Sequence, residues 1–390
     1  MRSLFESPDL GLDDLAVIEE IGQIRERLAS VLRVPKRWDG GLRRTAQARA
    51  IQGSNSIEGY TVSDQDAAAA VEDEPPLTAD ERTWPEIIGY RRVLTYVLSV
   101  AADAEFTIDE SMLRSMHFML LEHELAKSPG RYRTTSIYVR DDRTDRNVYE
   151  GPESEDVPGL MRLLVRDLQN SEGEAMVRAA MAHLNLVMIH PFRDGNGRMA
   201  RALQTMVLAQ DQVLEPTFSS IEEWLGHSTD DYYAVLAATG GGGWHPERDA
   251  RMWIQFNLRA HHMQAQTLQR RFAEAERLWG LIDSLVSQHG LSDRMAEALF
   301  DVLLGLRVTR PSYVKRTEVE ERTATRDLAQ LARLGLLQPH GQTRARFYTA
   351  GAPLVEKMRS IRSQREPLVD PYPNLVAGIR AAAAKVARPF

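Results

Sequence analysis

One stretch constrains this chain more than any other: His190-Pro191-Phe192-Arg193-Asp194-Gly195-Asn196-Gly197-Arg198-Met199-Ala200-Arg201. Upstream of it, Val177, Ala180, Met181, Leu184, Val187 and Met188 recur at helical spacing, which predicts a buried helix ending near His190. Pro191 agrees with that end, because its ring cannot continue the hydrogen-bond ladder. Downstream, Met199, Leu203, Met206 and Val207 resume the period, so a second helix begins within 195–198. The stretch is a helix–loop–helix joint whose loop feeds a helix N-terminus.

Such a joint suits the phosphates of a nucleotide. Gly195 and Gly197 allow the backbone to approach a ligand and turn its N–H groups outward. The free N–H groups and dipole of the next helix favour an anion. Arg198 and Arg201 share a helix face and add fixed positive charge with bidentate donors. Asp194 is an oxygen ligand where a phosphate-bound magnesium would sit. His190 is the nearby group that takes a proton at neutral pH, and Asn196 is placed to cap the helix or donate to a phosphate. Taken singly, each piece has a plain reading: a core histidine, a turn, a solvated pair of arginines. Base, acid, glycines and arginines converging within twelve residues are not explained that way.

The string resembles the signature of the Fic (filamentation induced by cAMP) family, His-x-Phe-x-(Asp/Glu)-Gly-Asn-Gly-Arg-x-x-Arg, at every defined position. The resemblance implies transfer of AMP from ATP to a hydroxyl side chain of a target protein. His190 would be the general base and Asp194 the magnesium ligand across the α- and β-phosphates. Asn196, with the amides of the Gly195 and Gly197 loop, would cradle the anion. Arg198 would bind the β-phosphate and Arg201 the γ-phosphate. The chemistry is in-line displacement at phosphorus, which depends on positioning and charge neutralisation.

A second resemblance lies upstream. A helix with Leu15, Ile18, Ile21, Ile24, Leu28 and Leu32 on one face is expected over 15–32, and another over 42–51. Ser54-Asn55-Ser56-Ile57-Glu58-Gly59 then reads as a helix end and turn. It also matches the inhibitory (Ser/Thr)-x-x-x-Glu-(Gly/Asn) pattern of one branch of the family. The resemblance implies that Glu58 pairs with Arg201, occupying the arginine the γ-phosphate needs and repelling the phosphate itself. Ser54 belongs to the same device.

Composition limits the remaining possibilities. The chain has 390 residues, no cysteine and a net charge of −7, so disulfides and thiol chemistry are excluded. The acidic, core-less N-terminus reads as no signal peptide. No apolar run of about 18 residues suggests a membrane span, and a cytoplasmic protein is expected.

Elsewhere the acidic stretch 64–83 with Pro75-Pro76 reads as helix, loop and boundary, and 84–100 as a helix. Thr107 and Glu110 look like a capping box opening the first core helix, which carries Leu113, Met116, Leu120 and Leu121. His117 and His123 on it read as core or surface histidines. The runs 136–139 and 147–149 suggest a β-hairpin. By resemblance this is the flap whose Ile137, Tyr138 and Val139 hold the target segment by strand addition, Val139 also lying on the nucleotide side. Tyr232 and Tyr233 resemble the family's adenine wall, with structural packing as the alternative. Gly240 to Gly243 lack the strand and lysine of a P-loop.

Between Arg307 and Arg346 there are nine basic and four acidic side chains, a basic island in an acidic chain. The helix over 323–334 and the turn over 338–348 resemble a winged helix-turn-helix. Thr323, Thr325 and Arg326 would face a DNA groove, and Arg344 and Arg346 would meet phosphates. Protein contact or dimerisation is the equal alternative.

The expected fold is mainly α: a Fic-type helical bundle with a short β-hairpin flap and a small C-terminal winged-helix domain. The expected divisions are 1–104, an N-terminal region with the inhibitory helix, then 105–262, the catalytic core. A helical linker, 263–305, a winged helix, 306–350, and a tail, 351–390, complete them. The expected function is an autoinhibited protein adenylyltransferase using ATP and Mg2+, modifying a target protein and itself, with DNA binding and a homodimer as further associations. Two other classes stay open: a phosphodiesterase removing AMP, and a DNA-binding regulator whose Fic part senses nucleotide.

Overall fold

The computed structural model describes residues 3–100, 103, 105–141, 146–170, 172–210, 215–342 and 346–386. Helix α1 (Leu12–Leu32) begins three residues earlier than the spacing predicts. The Asp14 carboxylate accepts from the Gly11 N–H at 3.0 Å and starts it. Val17, Ile18, Ile21, Ile24 and Leu28 are buried, but Leu15 is 46% exposed. The inward stripe runs through Asp14 and Val17, and one residue turns the helix by about 100°, which takes Leu15 off it.

Helix α2 (Asp39–Ile57) overruns its expected limits at both ends. Ser54 to Ile57 is therefore its last turn, with Glu58 as C-cap and Gly59 turning the chain away at φ +83°. Asn55, a residue that often breaks helices, here donates its side-chain amide to the Ile51 carbonyl at 2.8 Å. Its own carbonyl accepts from the Glu58 and Tyr60 N–H groups. The polar turn is folded into the helix by these bonds.

Helix α2 also joins two cores. Ala48, Ile51 and Ile57 pack in the first, with Leu113, Leu184 and Leu203. Leu42 packs in the second, with Phe272, Leu299 and Phe300. Helix α3 (Asp64–Glu72) is capped by Ser63, and α4 (Thr83–Val100) follows as expected. The cap of α5 (Glu110–Leu121) is Asp109, not Thr107: the Asp109 carboxylate takes the Met112 N–H at 2.6 Å, and Thr107 lies too early to reach it.

Strands β1 (Tyr138–Asp141) and β2 (Arg146–Glu150) form the expected hairpin, with Val139 opposite Tyr149. Ser136 and Ile137 precede the strand, and residues 142–145 of the connecting loop lie outside the described residues. Helices α6 (Val157–Gln169), α7 (Ala175–Ile189) and α8 (Asn196–Gln210) follow, α7 and α8 being the expected pair.

Short helices α9 (Pro216–Ser219) and α10 (Glu222–His227) lead to α11 (Thr229–Gly240). Helix α12 (Arg251–His289) crosses the expected limit at 262 without interruption. A Cβ built on Gly53 of α2 would stand 2.3 Å from the Glu222 carbonyl oxygen, so α2 and α10 meet backbone to backbone. Helix propensity alone favours Gly53→Ala by about 1 kcal/mol. The clash is expected to reverse this, with a net loss of about 1–3 kcal/mol of unfolding free energy by denaturant titration. An unchanged midpoint would contradict the close crossing.

The C-terminal part orders α13 (Met295–Leu303), β3 (Val308–Thr309), α14 (Arg310–Thr317), α15 (Glu321–Arg333), β4 (Leu337–His340) and β5 (Phe347–Ala350). The sheet order is β3-β5-β4, antiparallel. Helix α16 (Ala352–Ser363) joins the second core through Leu354. Helix α17 (Leu375–Val386) returns to the first through Ile379, with Arg380 paired to Asp231 of α11. Among the described residues, no helix is long and apolar enough to cross a membrane.

Candidate active site

His190 is the C-cap of α7, held at φ +51° with its N–H on the Leu186 carbonyl. Its Nδ1 lies 3.1 Å from the Val187 carbonyl oxygen. That oxygen only accepts, so the proton sits on Nδ1 and Nε2 carries the lone pair. Burial pushes the imidazole down to about 4, leaving it neutral at physiological pH. Arg133 secures the backbone here. Its Nε donates to the His190 carbonyl at 2.8 Å, and its N–H donates to Pro191 O at 2.9 Å.

The loop is closed by Asn196. Its side-chain oxygen accepts from the Phe192 N–H and its amide donates to the Phe192 carbonyl, both at 2.9 Å. That side chain is thus engaged within the loop through both its oxygen and its nitrogen. Phe192 is buried and stacks on His117, with centroids 3.7 Å apart. Gly130 donates its N–H to His117 Nδ1 at 2.8 Å, so the His117 Nε2–H donates to the Asp194 carbonyl at 2.9 Å. Burial pushes this ring down to about 4 as well. His117 thus braces the loop; its position on an apolar helix face carried no sign of that.

Asp194 accepts from the Gly195 N–H at 2.6 Å and pairs with Lys127 Nζ at 2.7 Å. Burial raises its pKa, but Lys127 and the neighbouring arginine outweigh this and hold it below the usual range. Among the described residues no group of three His, Cys, Asp or Glu could hold a metal. One carboxylate fits a magnesium ion only where phosphate oxygens complete its shell. The donor set here is of that kind.

Arg198 and Arg201 are fully buried at the start of α8. Arg201 donates from Nε to Ser54 Oγ at 2.8 Å, and from Nη2 to Ser54 O at 3.0 Å and Glu58 Oε1 at 2.6 Å. The ion pair expected between Glu58 and Arg201 is therefore present. Burial disfavours the Arg201 charge, but Glu58 outweighs it, and the pKa stands above the ordinary value. A Cβ on Gly197 would lie 2.4 Å from Glu58 Oε1, so that glycine is what lets the carboxylate cross the helix start. Arg198 pairs with Glu86, and its guanidinium lies 5.5 Å over the Tyr60 ring. Each arginine keeps one buried donor without a partner, Arg198 Nε and Arg201 Nη1.

The adenine-wall expectation fails for Tyr232. Its ring is 1% exposed beneath Arg201, and its hydroxyl bonds His183 Nε2 at 2.9 Å. It is core, because α11 packs that face inward against Trp253. Tyr233, 42% exposed, donates its hydroxyl to the Ile57 carbonyl at 3.0 Å and so ties the end of α2. The hairpin is anchored beside His190: Tyr149 donates to the Met188 carbonyl at 2.5 Å. Val139 pairs with Tyr149 and Tyr138 with Glu150 across the hairpin, and Ile137 O accepts from the Gly151 N–H.

In the C-terminal part, Thr325 and Arg326 are exposed on α15, Thr323 is half-buried and Arg346 is exposed. Arg344 lies outside the described residues. Part of the basic island is already paired with acids from elsewhere in the chain. Arg307 pairs with Glu74, and Arg316 with Glu72 and Asp301.

Fold and site together define a helical domain in which two buried arginines stand at a helix start, close in sequence to a neutral histidine. Residues 107–208 match the model of the Fic/DOC family. The chain is 29% identical over 250 residues to the protein adenylyltransferase Fic of Nematostella vectensis, covering 63% of this chain and 54% of that protein. It is also 29% identical over 196 residues to protein adenylyltransferase fic-1 of Caenorhabditis elegans, covering 49% and 36%. The chain thus spans about half the length of the first curated relative, and less of the second. Among solved structures, a Fic family protein from Desulfovibrio desulfuricans aligns with TM-score 0.54 at 23% identity, over 89% of this chain and 98% of that one. Fic-1 from C. elegans aligns at 0.52 and 23%, over 68% and 73%. The helical fold is shared with both.

Proposed function

We propose that this protein is an autoinhibited protein adenylyltransferase that moves AMP from ATP to a hydroxyl of a target protein and of itself. One observation carries this: two buried arginines with unpartnered donors stand at a helix start beside a histidine whose Nε2 is unprotonated. His190 takes the proton of the incoming hydroxyl. The hydroxyl oxygen forms a bond to the α-phosphorus, the bond from that phosphorus to the bridging oxygen breaks, and pyrophosphate leaves. Arg198 and Arg201 receive the β- and γ-phosphates, and the Gly197 amide lines the cradle, with the Gly195 N–H reaching it only when Asp194 lets go. Asp194 would hold magnesium, which supplies charge neutralisation for the phosphates when bound. The hairpin beside His190 aligns the target segment through main-chain pairing. Glu58 on Arg201 keeps the γ-phosphate from its seat. Protein labelled from α-labelled ATP and not from γ-labelled ATP tests the reaction; retention of the γ-label would overturn it.

The pH dependence follows from His190. Its pKa is lowered, so the neutral, proton-accepting form persists well below the ordinary histidine value and is lost as pH falls through about 4. The acid limb of turnover is therefore expected below pH 5 for a Glu58→Gly variant. A half-maximal point near 6.5 in a pH–rate profile would contradict the assignment.

A second role rests on the C-terminal part. Exposed Thr325 and Arg326 on α15, followed by the β4–β5 hairpin with exposed Arg346, support a winged helix that meets DNA. Salt-sensitive retardation of duplex DNA, weakened by Arg326→Ala, is the test; protein contact is the outcome if no retardation occurs.

A further inference from the structure

Both signature arginines are held by carboxylates, and the two carboxylates come from different places. Glu58 engages Arg201 from the end of α2, where the sequence pattern puts it. Glu86, near the start of α4, engages Arg198. It lies at helical spacing with Tyr90 and Val93, both fully buried, and its own side chain is 4% exposed. A carboxylate so deep in an apolar stripe is costly unless its partners fix it.

Those partners come from three other parts of the chain. One carboxylate oxygen accepts from the Tyr60 hydroxyl at 2.8 Å, and lies 3.3 Å from His123 Nε2 and 3.4 Å from Lys127 Nζ. The other takes Arg198 Nη1. Tyr60 in turn places its ring face against the Arg198 guanidinium. Arg198 is therefore gripped at one nitrogen and on one face. Its Nε edge is left buried and without a partner. A planar guanidinium pinned at one corner has its remaining donors aimed in one direction, and a buried cationic donor left open points to an anion that completes it.

We propose that Glu86 is the positioning residue of Arg198, presenting the open edge of that guanidinium to the β-phosphate of the nucleotide. This rests on the reading of Arg198 as a phosphate ligand. Glu86 touches no nucleotide; it acts through the arginine, with Tyr60 as the lower wall of the same grip. Because Tyr60 follows Glu58 by two residues, the turn after α2 then contacts both arginines.

The test is calorimetric titration of ATP, ADP and AMP into Glu58→Gly protein, compared with Glu58→Gly carrying Glu86→Asp or Glu86→Gln. AMP lacks the β-phosphate. Aspartate keeps the charge but withdraws the carboxylate by about 1.5 Å, the length of one carbon–carbon bond. Glu86→Asp is expected to weaken ATP and ADP about tenfold and AMP less than about twofold, the loss of one charge-assisted bond. Glu86→Gln keeps the reach and an acceptor, and is expected to stay within about threefold of its parent for all three. If Glu86→Asp binds ATP like its parent, or loses AMP as steeply as ATP, the assignment is overturned. Arg198→Lys in the same assay separates the two levels: an unchanged ratio of ATP to AMP affinity there would remove the phosphate reading of Arg198 itself.

Discussion

Glu58→Gly is expected to raise AMP transfer about ten- to a hundredfold. The carboxylate makes a 2.6 Å bond to a fully buried guanidinium, and hydrogen bonds to charged groups contribute about 1.5–3 kcal/mol. Each factor of ten in rate corresponds to about 1.4 kcal/mol. Removing Glu58 frees one of the two Nη2 donors of Arg201, while Ser54 keeps its bonds to Nε and to the other Nη2 donor and holds the side chain in place. The arginine is thus released without being lost. Glycine also suits the position sterically, since Gly59 beside it already turns the chain. The rise is read as initial rate of label incorporation at saturating ATP. A rate no higher than that of the parent would mean that the ion pair does not restrain the site.

His190→Ala, placed on the Glu58→Gly background, is expected to lower turnover about a hundred- to ten-thousandfold, the usual contribution of a positioned base. ATP affinity should change little, because a general base acts on the incoming hydroxyl and not on the phosphates, and the His190 Nδ1 bonds Val187. The effect therefore falls on kcat and not on binding, as expected for an interaction made in the transition state. The loop itself is held by Arg133, Asn196 and His117, none of which depends on the His190 ring. Equal losses in calorimetric ATP affinity and in turnover would assign the residue to the fold instead.

What the sequence made legible is what is local. The α7–loop–α8 joint follows from apolar spacing on either side of Pro191 and the glycines, whereas the Glu58–Arg201 pair, 143 residues apart, was implied only by the family resemblance. The cap expected at Thr107 falls two residues later, because Asp109 satisfies the same geometry at the helix start. The helix expected over 42–51 is too short because polar residues usually stop helices, although the end and turn do fall within Ser54 to Gly59 as expected. Here Asn55 bonds back to Ile51 and extends it. The supports that join distant parts were not legible at all. Glu86, Lys127, His117 and Arg133 lie between 57 and 112 residues from the groups they hold, and no local period records such a pairing. Tyr232 shows the converse: an aromatic pair has no direction until α11 is packed, and packing turned one ring into the core.

The most direct test of the account is self-labelling with α-labelled ATP and magnesium, run side by side on the parent protein, Glu58→Gly, and Glu58→Gly with His190→Ala. The account predicts strong labelling of Glu58→Gly alone, with the parent weak and the double variant at background. Equal labelling of the parent and Glu58→Gly would contradict the brake, and labelling that survives His190→Ala would contradict the base.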